Sequence, residues 1–264
     1  MADASDARKL FIQAILLRRY MTTHLAQALW HKCREDVMAV DESVFVQDIP
    51  WDELVKEVNQ SLNSFDLEFS RGHDEITGVE MWALVNRRDD EVAQVASDLS
   101  PSEITYFKAL VEEIILAPDH AYSISSIAAM RDPVKPANMT KPGAETVLAS
   151  FVARGWLLKS RKGQYSLSAR SLLELRSYLR KTYPDDLLEC QMCLELLTKG
   201  VACPTGPCGI WMHVPCYGQY QKRSGKCPWC QADWSIAPEK LICAGERSTK
   251  AANDDDEGEQ TGYE

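Results

Sequence analysis

Between Cys190 and Cys230 the chain reads Cys-x2-Cys-x9-Cys-x4-Cys-x4-His-x2-Cys-x10-Cys-x2-Cys, which places eight residues able to ligate zinc in one short segment. Zinc takes four thiolate or imidazole ligands at tetrahedral corners, and ligands two or three positions apart reach one ion from a tight turn. Eight ligands therefore imply two ions. So short a segment buries too little apolar surface to fold alone, whereas a structural zinc supplies about 10–16 kcal/mol of apparent binding energy that becomes folding energy. The metal is expected to define the local fold. Neighbouring pairs closing in order would put Cys190, Cys193, Cys203 and Cys208 on one ion and His213, Cys216, Cys227 and Cys230 on the other. A cross-brace would instead group Cys190, Cys193, His213 and Cys216, leaving Cys203, Cys208, Cys227 and Cys230 for the second ion. Spacing alone does not choose between them. No ligand position looks open, which argues against a catalytic zinc.

At 264 residues the chain is long enough for two or three domains, and with 45% hydrophobic residues it reads as globular. Only Cys33 and Cys243 fall outside the ligand pattern, so a secreted disulfide framework is disfavoured, a reducing compartment is favoured, and these two are expected as free thiols. Residues 10–17 are apolar, but the run contains Gln13 and continues into Arg18 and Arg19 without a cleavage site, which makes it a core helix. No run approaches the roughly 20 apolar residues of a membrane span, so a soluble protein without membrane partners is expected. A formal net charge of −10 argues against coating of nucleic acid along the whole length. Between Arg154 and Lys181, however, eight basic residues face one acid, Glu174. The segment 238–264 ends in Asp254, Asp255, Asp256, Glu257, Glu259 and Glu264 and is expected to be a disordered acidic tail.

Ahead of the ligand pattern the same element order occurs twice. An apolar helix over 7–19 is followed by a second, capped by Thr22 or Thr23 and running to about Cys33. A third follows Pro50, with Leu54, Val55, Val58, Leu62 and Phe65 stepping by three and four along one stripe. Alternation at Leu67, Phe69 and Arg71, turn residues over 72–78 and a β-prone run over 79–85 then predict a hairpin. In the repeat, Ser100, Pro101 and Glu103 form a capping box ahead of a stripe of Ile104, Phe107, Val111 and Ile114. A short helix over 123–130 and a longer one from Thr140 to Gly155 follow. Segments 156–160 and 164–167 flank Arg161-Lys162-Gly163 as a second hairpin, and Ser168 caps a last helix that Pro184 stops.

Helix, helix, helix, hairpin is the winged-helix order. The fold expected is mainly α with small β-hairpins: winged-helix domains over 1–95 and 96–184, a two-zinc finger over 185–237, and the tail. Protein contact is the main role expected of the modules. The second hairpin carries Lys159, Arg161 and Lys162, a small electrostatic footprint fit for weak DNA contact with a shallow salt slope. In the first module Asp41, Glu42, Asp48, Asp52, Glu53 and Glu57 would repel phosphate.

The ligand order with histidine fifth, closed by Cys227-Pro228-Trp229-Cys230, resembles a RING-variant finger, which implies the cross-braced pairing. Together with Gly155-Trp156-Leu157, Gly163-Gln164-Tyr165-Ser166-Leu167 and Cys208-Gly209-Ile210-x-Met212-His213-x-Pro215-Cys216, the whole chain resembles the non-SMC element one family, the RING-like subunit of the Smc five-six chromosome complex. That resemblance implies a nuclear, chromosome-associated protein that binds a MAGE-like winged-helix partner, joins a kleisin subunit and acts in DNA repair and recombination. It also implies ubiquitin ligase activity in the finger.

RING ligases position a charged conjugating enzyme and form no covalent intermediate of their own. The docking surface of such fingers uses an apolar residue before the second ligand, an aromatic in the central helix and a proline after the seventh ligand. Met192 and Pro228 match, and Tyr220 or Tyr217 would supply the aromatic. Gln231 stands where many active RINGs carry a basic residue, so activity is expected to be weak or partner-dependent. The alternative is a non-catalytic adaptor whose finger braces the complex. PHD fingers share the ligand order but place an aromatic two residues before the seventh ligand, where this chain has Gly225.

Overall fold

Apolar residues of the N-terminal segment sort by helical position in the computed structural model, which describes residues 4–41, 43, 46–87 and 99–246. In α1 (Ala4–Arg18), Ala7, Phe11 and Ile15 recur every four residues and are buried, whereas Leu10, Leu16 and Leu17 are exposed. Strand β1 (Tyr20–Thr22) leads into α2 (Thr23–Val40), which Thr22 caps by accepting from the Leu25 amide. This helix does not stop near Cys33. Val37 lies seven positions after Trp30 and holds the buried face together, while Glu35 and Asp36 between them face solvent and mask the period. Helix α3 (Trp51–Leu62) buries Leu54, Val58 and Leu62. Phe65, expected on that stripe, lies past the helix end in the 3-10 turn Asn63–Phe65 and is 69% exposed.

Strands β2 (Leu67–His73) and β3 (Glu80–Asn86) form the expected hairpin, and β1 adds to it in the order β1-β3-β2. The core beneath is aromatic: Phe69 stacks on Trp82 at 4.9 Å between centroids, and Phe11 meets Trp30 edge-on at 5.8 Å. Such pairs add about 0.5–1.5 kcal/mol each beyond the area they bury. These elements make one compact unit, Met1–Asp74 with Val79–Glu91 and Leu173–Leu175.

The second unit comprises Glu75–Gly78, Val92–Leu172 and Arg176–Glu264. Its first helix among the described residues, α4 (Pro101–Ile115), has the capping box: the Glu103 amide donates to Ser100 Oγ, and the Ser100 amide donates to Glu103 Oε2 at 2.7 Å. Residues 123–130 are not a single helix. Ile124–Ser125 is strand β4, paired with Tyr165 and Gln164, and Ser126–Ala129 is a one-turn helix, α5, capped by Ser125. Helix α6 (Val134–Ala137) precedes α7 (Lys141–Ala153), which starts at a Thr140 cap. Strands β5 (Leu157–Lys159) and β6 (Gln164–Leu167) complete a sheet ordered β4-β6-β5. The helix expected after Ser168 is two, α8 (Ala169–Glu174) and α9 (Arg176–Thr182).

The cysteine-rich region follows with the hairpin β7 (Leu188–Glu189) and β8 (Leu196–Leu197), strands β9 (Gly200–Ala202) and β10 (Trp211–Met212), and α10 (Val214–Gln221). Pro238 does not begin a disordered tail. Strand β11 (Cys243–Ala244) pairs with β9, and Leu241 and Ala244 are buried, because this stretch has the apolar side chains that the acidic residues beyond it lack. Those residues, 247–264, lie outside the described ones. The boundary expected at 184/185 does not separate compact units either. Tyr122 Oη donates to the Asp186 carbonyl at 2.7 Å, Lys199 Nζ to that of Leu167 at 3.2 Å and the Gly245 amide to that of His120 at 2.8 Å. The boundary at 95/96 falls outside the described residues. Among the described residues, no helix is long and apolar enough to cross a membrane.

Candidate metal centre

Two sets of four ligand atoms converge in the cysteine-rich region, each set within 4.8 Å: Cys190, Cys193, His213 and Cys216, and Cys203, Cys208, Cys227 and Cys230. This is the cross-braced grouping, and the in-order grouping does not form. The backbone explains how each pair aims at one point. The Leu194 amide donates to the Cys190 carbonyl at 2.8 Å, and the Gln231 amide to that of Cys227 at 3.2 Å, closing tight turns. Directly after a second ligand stand Leu194, Gly209 and Gln231, with φ of 61°, 68° and 60°. A left-handed backbone costs a non-glycine residue about 1–2 kcal/mol. Leu194 and Gln231 accept that cost where the turn must bring two sulfurs to the same side.

Distances within the sets fit a tetrahedral ion. Cys203 and Cys230 sulfurs are 3.6 Å apart, as are those of Cys208 and Cys227. Zinc holding sulfur at about 2.3 Å would set them about 3.8 Å apart, whereas a disulfide needs about 2.05 Å. None of the nine cysteines is in a disulfide. Burial, then the Cys230 and Cys227 sulfurs, push the Cys208 thiol up to about 12, while hydrogen bonds from Cys193 and Cys216 hold the Cys190 thiol well below its ordinary value. Thiolates crowded in this way need a cation among them. Six of the eight ligands come from turns and strand ends, and the other two, His213 and Cys216, come from the start of α10. The seven thiols and one imidazole suit two structural zinc ions.

His213 presents its Nδ1 to the sulfurs, 3.3 Å from Cys193 Sγ and 3.9 Å from Cys216 Sγ. Its Nε2 points away, 3.1 Å from the Leu196 carbonyl and 3.4 Å from Glu75 Oε1. Burial would lower the pKa of this imidazole, but hydrogen bonds to Cys190, Cys193 and Glu75 push it up to about 12; a cation at the centre of the set takes the place of that Nδ1 proton. Glu75 is a residue that sequence reasoning missed. It is buried, and it accepts from the Thr198 amide at 2.6 Å, the Thr198 hydroxyl at 2.6 Å and the Lys199 amide at 3.1 Å. Burial alone would raise its pKa, but Lys199, His213 and Thr198 hold it at about 2. No local pattern marks Glu75, because its partners lie more than a hundred positions along the chain.

Of the expected docking residues, Met192 and Pro228 are exposed. Tyr220 is half-buried and donates to the Lys226 carbonyl at 2.9 Å, and Tyr217 is fully buried and donates to that of Ile236 at 2.7 Å. Sequence reasoning passed over Leu194 and Trp229, which are 66% and 76% exposed. Lys159, Arg161 and Lys162 are exposed at the β5–β6 turn, with Lys159 Nζ 5.2 Å from the Tyr165 ring centroid. The rest of the basic stretch is partly engaged: Arg170 lies 4.0 Å over the Trp156 ring, and Arg180 pairs with Glu189 at 2.7 Å.

Residues 8–175 match the family described as Nse1, the non-SMC component of the SMC5-6 complex, and residues 190–230 match the RING-like domain family. A bovine protein named non-structural maintenance of chromosomes element 1 homolog is 35% identical over 201 residues, covering 75% of this chain and 74% of its own. The human protein of that name is 30% identical over 236 residues, 89% of this chain and 86% of its own. The Schizosaccharomyces pombe protein named non-structural maintenance of chromosomes element 1 is 26% identical over 233 residues, 88% of this chain and 94% of its own. Among solved structures, a chain of the Nse1-Nse3-Nse4 complex superposes with a TM-score of 0.72 at 29% identity, covering 88% of this chain and 97% of that one.

Proposed function

The chain belongs to the family of Nse1, the non-SMC component of the SMC5-6 complex, and we propose that it is the RING-type ubiquitin-ligase subunit of that complex. In this reading the two helix-helix-helix-hairpin modules are winged helices that seat an Nse3-like MAGE subunit and an Nse4-like kleisin. The likeness to a chain of the Nse1-Nse3-Nse4 complex over 88% of this chain supports those partners. The site of action is the nucleus, on chromosomes undergoing repair and recombination.

Zinc supplies structure here and no reacting group. Two ions would hold Cys190, Cys193, His213 and Cys216, and Cys203, Cys208, Cys227 and Cys230, so that the turns between ligands become rigid platforms. The observation that carries the ligase reading is on those turns: Met192, Leu194, Pro228 and Trp229 are exposed apolar side chains beside ligands. A conjugating enzyme docked there would have its thioester confined to a reactive geometry, which is catalysis by positioning. The β5–β6 turn with Lys159, Arg161 and Lys162 adds a weak DNA contact.

Ubiquitin discharge from a charged conjugating enzyme, measured with the full chain and its MAGE subunit, tests this. Met192→Asp and Pro228→Asp should each abolish discharge while two zinc ions stay bound, since neither residue is a ligand. Gln231→Arg should raise discharge, by about 1–3 kcal/mol in barrier, because a guanidinium can hydrogen-bond enzyme and ubiquitin together. A bracing adaptor is the second reading, and the half-buried Tyr220, tied to Lys226, favours it. Discharge indifferent to Met192 and Pro228 but lost in Cys190→Ala would decide for the adaptor.

A further inference from the structure

We infer that Glu75 is an outer-shell residue of the first metal centre: it orients His213 so that Nδ1 carries the lone pair offered to the ion. The inference rests on the zinc reading of the two ligand sets and adds to it a residue outside the span of the finger. A metal-bound imidazole needs its second nitrogen to donate to a fixed acceptor, and a carboxylate or a carbonyl serves. His213 Nε2 has both within reach, the Leu196 carbonyl at 3.1 Å and Glu75 Oε1 at 3.4 Å, so a proton on Nε2 is shared between two acceptors and cannot sit on Nδ1.

The carboxylate is itself immobilised. Both of its oxygens accept from the β8–β9 connection: Oε1 from the Thr198 and Lys199 amides and Oε2 from the Thr198 hydroxyl, with Lys199 Nζ 3.5 Å from Oε2. Buried among these donors, the carboxylate has Lys199 as its counter-charge. A second contact in the same loop fixes its approach. Gly78 has φ of +70°, and a Cβ there would stand 2.8 Å from Pro215 Cβ, so the loop lies against the residue just before the ligand Cys216. Glu75–Gly78 and the cysteine-rich region belong to the same compact unit. The metal centre is thus assembled from two stretches of chain, and the ligand pattern records only one.

Zinc release from the full-length, zinc-loaded protein to a chromophoric chelator tests this, because the two ions serve as mutual controls. Glu75→Gln keeps the shape but weakens acceptance from His213, and should accelerate release of one ion about 10–100-fold, the usual cost of losing an outer-shell partner. The slower ion should keep its wild-type rate. Cys190→Ala and Cys203→Ala identify which ion is which. In the wild type, long-range nitrogen–proton correlations of His213 should show the proton on Nε2; in Glu75→Gln that signal should shift while the other four histidines do not move. Should Glu75→Gln fail to fold, Thr198→Val loosens the carboxylate without removing it, and faster loss of the same ion is again expected. Unchanged release of both ions in the variant that folds, or equal acceleration of both, overturns the inference. A wild-type protein that binds no zinc would instead overturn the zinc reading on which it stands.

Discussion

Asn59 lies on α3 with its amide set against the backbone of Phe69, accepting from the Phe69 N–H at 2.7 Å and donating to its carbonyl at 3.1 Å. One side chain thus does what a neighbouring strand would do at the free edge of β2, and it joins helix to sheet beside the Phe69–Trp82 stack. Asn59→Ala would leave both backbone groups unpaired next to a buried aromatic. A loss of about 1–3 kcal/mol in unfolding free energy is expected, measured by denaturant titration with an unchanged slope. Asn59→Asp should also destabilise, since a carboxylate can accept from the Phe69 N–H but cannot donate to its carbonyl. Single residues of this kind were the least legible in the sequence. The eight metal ligands stood out because tetrahedral zinc imposes spacing on the chain, and Ser100 and Glu103 because a capping box is local. Asn59 and Glu75 act across turns of the fold, where no fixed offset along the chain reveals the partner.

Elements were legible wherever their periodicity had an uninterrupted face. Helices α1, α3, α4 and α7 and both hairpins follow from apolar spacing and caps. Strand β4 did not, because two residues are too few to alternate and its pairing to Tyr165 and Gln164 is set by the fold. The end of α2 was hidden by polar residues, and β11 by its place ahead of an acidic stretch. Helix α1 also carries an outer face, with Leu10 at 39%, Leu16 at 42% and Leu17 at 85% exposed. An apolar row outside a helix whose inner row is already buried fits a partner, here the MAGE subunit proposed above. Leu17→Asp combined with Leu10→Asp should abolish co-purification with that subunit while leaving the melting temperature of the isolated chain nearly unchanged, since neither side chain is in the core. Retained co-purification would move the interface elsewhere. The β5–β6 turn is tested by salt: Lys159→Ala, Arg161→Ala and Lys162→Ala together should flatten the dependence of DNA affinity on salt by a slope of about 2.7, the share of three phosphate contacts.

At the scale of the whole molecule, the division of the chain differs from the order of its motifs. One unit has an aromatic core of its own, built on Phe11, Trp30, Phe69 and Trp82. The other joins the second helical module to the cysteine-rich region, with Tyr122 bonded to Asp186, Lys199 to Leu167, Gly245 to His120, and the His120 ring 5.5 Å from that of Trp211. Read from the sequence alone, Cys190→Ala or His213→Ala should unfold the finger yet leave the expected winged helices helical, since a separate core holds them. The bonds that cross residue 184 give a different expectation. Losing the first ion frees His213 and the turn at Cys193, and with them β9 and β10, which anchor Trp211 and, through β11, Gly245. Tyr122 and Gly245, both buried, then lose the Asp186 and His120 carbonyls that accept from them, at about 1–3 kcal/mol for each group left unpaired. Hydrogen exchange on Cys190→Ala should therefore show lost protection in β7 to β11 and also, to a lesser degree, at β4 and β6, while α2 and β3 keep wild-type protection. Faster exchange confined to 188–246 would mean that the helical module stands without the finger, and equal loss in α2 would mean that the two cores unfold as one.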